Sequence, residues 1–394
     1  MGNLIFYIRT SLFLILMLFS YNLYGNIFSG EEEKFFNKKF SKEVKSINKD
    51  LRTLNLSPEL LKTIEGGLKE SLLDKNDYYT NSYLALLFRY YHLNNNLKEA
   101  FEVYKQSKNL GVSKSKLSYI DLNLRFYYFF NSYEIDSESK KILEKIKKVI
   151  SGLSEEQKQF YNANISLLES IKYNKTNMDV KRNKIVETIA VIDHLSPNIS
   201  QTMYNSTMSD LYNFLAMTYL HGISEVGDSK NFNNIDHSIS LFKKAIRLSS
   251  DVENKEFKML VYSNLIYANN LKKDLDESKV YIDKVQELFS KLNYNAIYKS
   301  RIICNMTDYY EISKDVDQYN QYYKECMNSI ESYKSDKQLI EKLVIENNKI
   351  LTENNEEKSF SIYFKYGVIV FGLIVLICVV YYFLASKFND VQIN

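Results

Sequence analysis

The sequence is poor in the residues that interrupt helices. Its 394 residues include no tryptophan, two prolines (Pro58 and Pro197), three cysteines, four histidines and eleven glycines. Because proline and glycine are the residues least favourable in a helix interior, their scarcity favours an all-α chain. The 51 basic and 48 acidic residues leave a net charge of only +3. This balance lacks the concentrated basic face of a nucleic-acid-binding protein, so we expect no nucleic-acid partner.

Patterns for catalysis and metal binding are also lacking. The sequence contains no phosphate-binding loop, no dinucleotide glycine motif and no nucleophile elbow, and its histidines are scattered. His221 and His237 flank the polar segment 222–234 and could approach each other there, but two imidazoles without a third ligand do not make a zinc site. We therefore expect no catalytic residue, no cofactor and no metal, and a chain that is not an enzyme.

The cysteines leave two alternatives open. Cys378 lies in an apolar run near the C-terminus, whereas Cys304 and Cys326 are 22 residues apart in a predicted helical hairpin. They could be buried free thiols, since reduced cysteine behaves as a small apolar side chain. They could instead form a disulfide, which requires an oxidising compartment and Cα atoms within about 7 Å of each other.

Apolar segments at both ends predict membrane targeting. Residues 1–25 carry a single charge, Arg9, ahead of the apolar run Leu12–Phe19, as in a secretory signal peptide; retention as an anchor is the alternative. Residues 366–386 contain no charged side chain, and spanning a bilayer takes about 20 such residues. We expect a transmembrane helix at residues 362–386, followed by a tail at residues 387–394.

Together the two segments predict a single-pass membrane protein. The signal would export residues 26–361, the second apolar segment would stop transfer, and the tail would remain in the cytoplasm. In a bacterium, this topology anchors the chain in the inner membrane and exposes its body to the periplasm or the exterior.

One helical pattern recurs through the middle of the chain. A first helix carries apolar or aromatic residues at i, i+3, i+4 and i+7, as in Tyr212, Leu215, Ala216 and Tyr219. A polar turn follows, and a second helix then carries a small residue with a large one four positions later. The corresponding pairs of the second helices are Ala100–Tyr104, Ser139–Leu143, Ser238–Phe242, Ser278–Ile282 and Tyr319–Tyr323.

This pattern resembles the tetratricopeptide repeat (TPR), in which W-x2-L-G-x2-Y precedes A-x3-F. The resemblance covers residues 80–332. It implies a TPR-like solenoid of stacked hairpins, whose concave surface commonly binds an extended peptide. The chain departs from the family in lacking the terminal proline and in a repeat length of about 40 residues, against 34 in the family. The usual glycine position holds Phe88, Tyr127, Ile266 or Thr307.

The segment before the repeats is expected to form a cap. Residues 26–79 read as a charged helical lead-in that is broken at Pro58 and at Gly66–Gly67. Within the repeats, Gly111, Gly152 and Gly222 lie where helices are expected to end, and a left-handed cap is easiest for glycine.

Residues 333–361 predict a juxtamembrane helix between the repeats and the membrane. Ile340, Leu343, Asn347 and Ile350 recur at steps of three and four, which is the spacing of a short heptad seam. One interpretation is a stalk that forms a homodimer, with Asn347 setting the register. The other is a solvated helix that caps the solenoid of a single chain.

The order of segments suggests two functions. A signal, TPR-like repeats, a heptad helix and a membrane helix resemble the exported half of bacterial membrane-anchored TPR regulators, a type common in Bacteroidota. Those regulators carry an output domain in the cytoplasm, which residues 387–394 do not provide. We therefore expect a membrane-anchored module that binds a protein or peptide partner. The alternative is the sensory half of a regulator whose output domain is lost or lies on another chain.

Overall fold

The computed structural model describes residues 38–108, 116–173, 177–221, 223, 226–227, 231–249, 254–289 and 296–352, in which every regular element is helical and there is no β-strand. The predicted all-α class is therefore confirmed. The helices are α1 (Lys38–Thr53), α2 (Pro58–Leu73), α3 (Asp77–Leu93), α4 (Leu97–Lys108), α5 (Lys116–Ser132), α6 (Asp136–Ile150), α7 (Glu155–Tyr173), α8 (Met178–His194), a 3-10 turn (Ser196–Asn198), α9 (Gln201–Leu220), α10 (Phe232–Ser249), α11 (Lys255–Lys272), α12 (Leu275–Phe289), α13 (Ala296–Ser313) and α14 (316–352).

The chain divides into two compact units. The first unit ends at Ile340 and contains α1 to α13 and residues 316–340 of α14, and the second comprises Glu341–Asn394. The described part of the second unit, residues 341–352, is helical. No helix within the described ranges is both long enough and apolar enough to cross a membrane. The predicted signal at residues 1–25 and the predicted membrane span at residues 362–386 lie outside those ranges.

Successive helices of the first unit pair as hairpins in a repeat-like arrangement. α3 packs on α4, α5 on α6, α7 on α8, α9 on α10 and α11 on α12. The first helix of a pair is buried on nearly every side, as α3 and α5 show, whereas the second helix buries one face. A helix that is covered on all sides lies in the interior of a protein. The first helices therefore form the inside of the unit and the second helices form its outside.

The small and large positions predicted for the second helices point into these hairpins. Ala100, Ser139, Ser238 and Ser278 are fully buried, and so are the large residues Phe242 and Ile282. The last pair differs, because Tyr319 and Tyr323 are half-buried and their rings stack on each other with centroids 5.6 Å apart. The buried face of α14 instead contains Cys326, Ser329, Ile330 and Tyr333.

Among the described residues, six helices end in the same left-handed turn, and none of the six uses glycine. The backbone φ of the turn residue lies between 51° and 62°, and the next amide donates to the carbonyl five residues back at 2.8–3.1 Å. This is the hydrogen-bond pattern of a Schellman motif. The turn residues are Leu54, Lys75, Asn95, Glu134, Lys273 and Lys314. Their recurrence about 40 residues apart, from Asn95 to Glu134 and from Lys273 to Lys314, matches the predicted repeat length.

The prediction of a left-handed cap at Gly152 is wrong. The φ angle of Gly152 lies outside the left-handed region, and its amide donates to the Val149 carbonyl at 3.1 Å in a tighter turn. Lys116 Nζ donates to the Gly152 carbonyl at 2.6 Å, which satisfies one acceptor at the end of α6. Gly111 and Gly222 lie outside the described residues.

The predicted break at Gly66–Gly67 is also wrong, because α2 continues through both glycines. Pro58 begins α2, where the amide missing from proline costs no hydrogen bond, and Ser57 caps the helix by accepting from the Leu60 amide. Gly67 is buried where α2 crosses α3, and a Cβ atom there would overlap the Tyr83 ring. Gly67 therefore allows two helices to approach closely and does not end one.

Residues far apart in the sequence meet inside the first unit. Arg89 of α3 forms a buried ion pair with Glu256 of α11 at 2.9 Å, and α1 also packs against α11. Near the end of the unit, the Tyr333 hydroxyl of α14 donates to the Ser132 carbonyl at 2.9 Å, and Lys337 pairs with Glu134 at 2.6 Å. Early and late hairpins are therefore in direct contact.

Candidate functional site

A groove opens on the outside of the first unit between α10 and α12, the second helices of two successive hairpins. Both helices pack on α11, which contributes Tyr262 from between them. The groove has a volume of about 610 Å³, within the range of ligand-binding clefts. Its lining residues are Asp236, Ile239, Ser240, Lys243, Ile246, Arg247, Tyr262, Tyr281 and Lys284.

Helical periodicity separates the apolar floor of the groove from its charged rim. On α10, Asp236, Lys243 and Arg247 are exposed, whereas Ile239 and Ile246 are half-buried. The two sets follow the steps of three and four that keep residues on one side of a helix. An apolar centre surrounded by a polar rim is the arrangement found in protein interfaces.

Two tyrosines form the aromatic part of the groove. The rings of Tyr262 and Tyr281 stack with their centroids 5.8 Å apart, and Lys284 Nζ lies 5.6 Å from the first centroid and 4.9 Å from the second. Both distances are within the range of a cation–π interaction. Burial, followed by the negative charge of Glu277, raises the pKa of Tyr281 to about 12, and burial also raises the pKa of Tyr262. Both hydroxyls therefore stay protonated at neutral pH and can donate hydrogen bonds.

The charges around the groove are mainly positive. Lys243, Arg247 and Lys284 line it, and Asp236 is the acidic residue among the lining side chains. The Asp236 carboxylate accepts a hydrogen bond from Lys272 at 2.8 Å, so its charge is already balanced. Lys243 Nζ lies 4.0 Å from Glu277 Oε2, which is the outer limit of an ion pair. Both side chains are about half exposed.

The lining residues are suited to binding. They include no histidine and no cysteine, and they offer apolar contact area, tyrosine hydroxyls and positive charge. Across the part of the chain that the structure describes, no three histidine, cysteine, aspartate or glutamate side chains are arranged to hold a metal ion. Tyrosine is favoured at binding surfaces because one ring supplies both apolar area and a hydroxyl.

The residues predicted for a dimer stalk differ in their exposure to solvent. Ile340 is fully buried within the first unit. In the second unit, Leu343 and Asn347 are half-buried and Ile350 is exposed. A seam between two chains would therefore use Leu343, Asn347 and Ile350, and their pairing remains a prediction.

Cys304 of α13 and Cys326 of α14 form a disulfide, with Cα atoms 5.0 Å apart. This result decides between the two alternatives that the sequence left open. Ile303 and Ile330 pack beside the bridge, so it lies within an apolar cluster. The disulfide ties together the two helices of the last hairpin.

Among the histidines, His92 packs in the interior. His92 is buried between Phe88 and Phe129, and burial, with a smaller contribution from Arg89, lowers its pKa to about 3. The ring of His237 packs edge-on against the ring of Tyr219, with the two centroids 4.5 Å apart. Burial lowers the pKa of His221, which is half-buried.

A cluster of buried charges lies inside the unit and was not predicted from the sequence. Besides the pair Arg89–Glu256, it contains Arg125 and Asp121 of α5, and Tyr161 of α7 donates to Asp121 at 3.2 Å. Burial raises the pKa of Asp121 to about 7, although Arg125 and the Tyr161 hydrogen bond oppose the shift. Burial likewise lowers the pKa of Arg125 to about 9, with Arg89 contributing in the same direction. Arginines inside the aromatic stretches LLFRYYH and LNLRFYYFF are the sequence signal that could have indicated this cluster.

The groove was not predicted either, although Ser278 and Ile282 of α12 were assigned to repeat positions. In the sequence, Lys243 and Arg247 cannot be distinguished from other charged residues on the solvated face of an amphipathic helix. Their association with Tyr281 and Lys284 depends on how two second helices pack on α11, which a single helix sequence does not specify. No protein-family model matches the chain, and no curated protein is significantly similar to it.

Proposed function

We propose that this protein is a membrane-anchored, TPR-like binding module, exposed to the periplasm or the exterior, that binds a segment of a protein or peptide partner without catalysis. The observation that carries the proposal is the groove between α10 and α12, with its tyrosine floor and charged rim. Aromatic side chains in a desolvated centre supply most of the energy of a protein interface, and Tyr262 and Tyr281 are placed for that role.

The repeat-like hairpins support the TPR-like part of the proposal. Small residues at Ala100, Ser139, Ser238 and Ser278 are fully buried, as expected where paired helices approach closely. The proposed binding surface differs from the concave one that the resemblance implied. Inner helices such as α3 and α5 are buried along nearly their whole length, so they leave little surface for a ligand. The groove instead uses the outer helices.

The Cys304–Cys326 disulfide supports export of the body. Disulfides persist in oxidising compartments and are rare where cytosolic reductants keep thiols reduced. With the predicted signal at residues 1–25 and span at residues 362–386, the disulfide favours the topology in which the C-terminus faces the cytoplasm.

Site-specific crosslinking tests the binding function. A photo-crosslinking amino acid replaces Ser240, an exposed residue of the groove, in the full-length chain in its native membrane. We expect an adduct of one defined mass. The same amino acid at Val186, which is 50% exposed on α8, is the matched control and should give no such adduct. Adding Ile246→Arg, which places a long charged side chain on the apolar floor, should abolish the Ser240 adduct. Equal adducts at both positions, or an adduct that survives Ile246→Arg, would refute the proposal.

Protease protection tests the topology. Proteinase K added to intact bacterial spheroplasts should degrade the body and leave a C-terminal tag protected, because the body faces outward and the tail faces inward. A body that becomes sensitive only after the membrane is lysed would show the opposite orientation.

Cysteine crosslinking tests the predicted dimer stalk. Asn347→Cys should give a disulfide-linked dimer in membranes, whereas Lys98→Cys, at an exposed position of α4, should not.

A further inference from the structure

Part of α14 packs on the turn that follows α5. The ring of Tyr333 stacks on the ring of Tyr133 with the centroids 5.9 Å apart, and its hydroxyl donates to the Ser132 carbonyl at 2.9 Å. One turn further along α14, Lys337 pairs with Glu134 at 2.6 Å. Glu134 is the left-handed residue of the turn after α5. The last helix of the unit is therefore fixed to the end of an early helix.

A second contact joins α14 to the turn that follows α3. Asn95 is the left-handed residue of that turn, and its side chain forms a hydrogen bond with the half-buried carboxyl of Asp336. Ile340, one turn later on α14, is fully buried. Residues 333–340, which we call the strap, therefore lie against equivalent turns of two successive hairpins.

The contact between Asn95 and Asp336 leaves two buried acceptors unsatisfied. Among the described residues, neither Asn95 Oδ1 nor Asp336 Oδ2 has a hydrogen-bond partner, although both atoms are buried. A buried acceptor without a donor costs free energy, and the cost is larger for a charged group than for a neutral one. A proton on Asp336 removes the charge and supplies an O–H donor at this contact. The docked strap therefore suits the neutral acid better than the carboxylate.

The other titratable groups around the strap do not stabilise the carboxylate. Burial raises the pKa of Asp336 to about 6, and no charged side chain of the described residues contributes to the shift. Glu134 and Lys337 are engaged with each other. His92 of α3, whose pKa is lowered to about 3, is neutral above pH 5. Three further charged residues of α14 and α6 are exposed: Glu331, Lys334 and Asp136.

We infer that the strap is a pH-sensitive device, in which residues 333–340 dock on the turns after α3 and α5 with Asp336 protonated, and loss of that proton loosens the segment. The docked carboxyl holds its proton more tightly than the free one does, so docking is favoured at low pH and weakens as the pH rises through about 6. Because α14 continues to residue 352, the response lies in the helix that leads in sequence towards the predicted membrane span. The inference does not depend on ligand binding in the groove.

Hydrogen exchange of the full-length chain in nanodiscs at pH 5 and pH 8 tests the inference. After correction for the intrinsic exchange rate at each pH, the equilibrium constant for local opening of residues 333–340 should rise about tenfold between the two pH values. This factor follows from a carboxyl pKa of about 6 in the docked strap and 3.8 in the free segment. Asp336→Asn cannot ionise, so its strap should open at both pH values as rarely as that of the unsubstituted chain at pH 5.

Two further variants separate docking from the pH response. Glu331→Gln removes an exposed carboxyl of the same helix and should leave the tenfold change intact. Tyr333→Phe removes the donor to the Ser132 carbonyl, so opening should increase at both pH values while the ratio between them persists. Asp121 also titrates in this range, but it is present in every chain and cancels when chains are compared at one pH.

Three results would overturn the inference. An unchanged ratio in Asp336→Asn would assign the pH response to another group. A strap that opens more readily at pH 5 in Asp336→Asn would show that the docked form is the carboxylate. Equal loss of protection in α9 and in the strap at pH 8 would show that the whole unit opens.

Discussion

At the scale of single residues, two adjacent glycines in α2 have opposite surroundings. Gly67 faces Tyr83 of α3 so closely that a methyl group would overlap the ring, whereas nothing lies within 4 Å of a methyl group at Gly66. The same substitution at the two positions therefore separates the effect of packing on stability from the effect of helix propensity.

We expect Gly67→Ala to reduce the free energy of unfolding by about 1–3 kcal/mol, the usual cost of overpacking a well-packed site. Gly66→Ala should increase it by up to about 1 kcal/mol, because alanine is the better helix former and meets no neighbour. Urea denaturation of the detergent-solubilised chain measures both changes. Destabilisation of equal size at both positions would show that the close contact with Tyr83 is not the cause.

The raised pKa of Asp121 predicts a pH dependence of stability. Its folded-state pKa of about 7 lies above the ordinary aspartate value of 3.8, so between these two pH values the folded state binds a proton that the unfolded state releases. Stability from this group is therefore complete at low pH and is lost as the pH rises towards 7. Asp121→Asn cannot ionise and avoids this loss.

We expect the stability of Asp121→Asn, relative to the unsubstituted chain, to increase by on the order of 2 kcal/mol between pH 5 and pH 8. His92, whose pKa is lowered to about 3, makes stability rise with pH at pH values below the pKa of this histidine in the unfolded chain. Because His92 is present in both proteins, its contribution cancels in the difference. Urea denaturation at both pH values measures the effect. A difference that is constant with pH would show that Asp121 stays ionised.

At the scale of helices and hairpins, the disulfide is the covalent link of the last hairpin. It closes a loop of 22 residues between α13 and α14. Replacing both cysteines by serine should lower the free energy of unfolding by about 3 kcal/mol, the value expected from the entropy of a loop of this length.

Denaturation with and without reductant checks this prediction. Reductant should destabilise the unsubstituted chain to a similar extent and leave the double serine variant unchanged. If both proteins respond equally to reductant, the bridge does not stabilise the hairpin.

The sequence predicted most of what depends on local periodicity. The first helices, the fully buried small residues such as Ala100 and Ser278, and a repeat of about 40 residues all follow from the spacing of apolar side chains. The repeat position predicted for the pair Tyr319–Tyr323 was less accurate, because both residues are only half-buried. Their rings stack on each other at the surface.

Features that depend on contact between helices were not accessible from the sequence. Gly67 read as a helix breaker because glycine has the same low helix propensity whether or not another helix crosses it. Arg89 and Arg125 could not be placed, because burying a charge is favourable only beside a partner that the local sequence does not reveal. The groove was missed for the same reason, since its two walls belong to different hairpins.

At the scale of the whole first unit, the ion pair between Arg89 and Glu256 connects α3 to α11. The two side chains are 1% and 7% exposed, so neither charge is solvated by bulk water. Removing one partner leaves the other buried without its counter-charge, which typically costs about 3–5 kcal/mol.

We expect Glu256→Gln to lower the free energy of unfolding by about 3–5 kcal/mol, and the double variant Arg89→Met/Glu256→Leu to recover most of that loss. Lys279→Gln, which breaks the exposed pair with Asp283 at 2.8 Å, is the control and should cost less than about 1 kcal/mol. Hydrogen exchange should show that Glu256→Gln weakens protection in α3 as well as in α11. Loss of protection in α11 alone would show that the two helices are not stabilised together.

The separation of Arg89 and Glu256 by 167 residues has a consequence for the order of folding. During synthesis, Arg89 emerges long before its partner, at typical rates of about 5–20 residues per second. The early hairpins would have to keep this guanidinium hydrated until α11 arrives. In an array whose repeats contact only their neighbours, folding can begin anywhere and spread along the chain. Here the interior closes only when late residues return to early ones, so we expect its completion to be the slow step of folding.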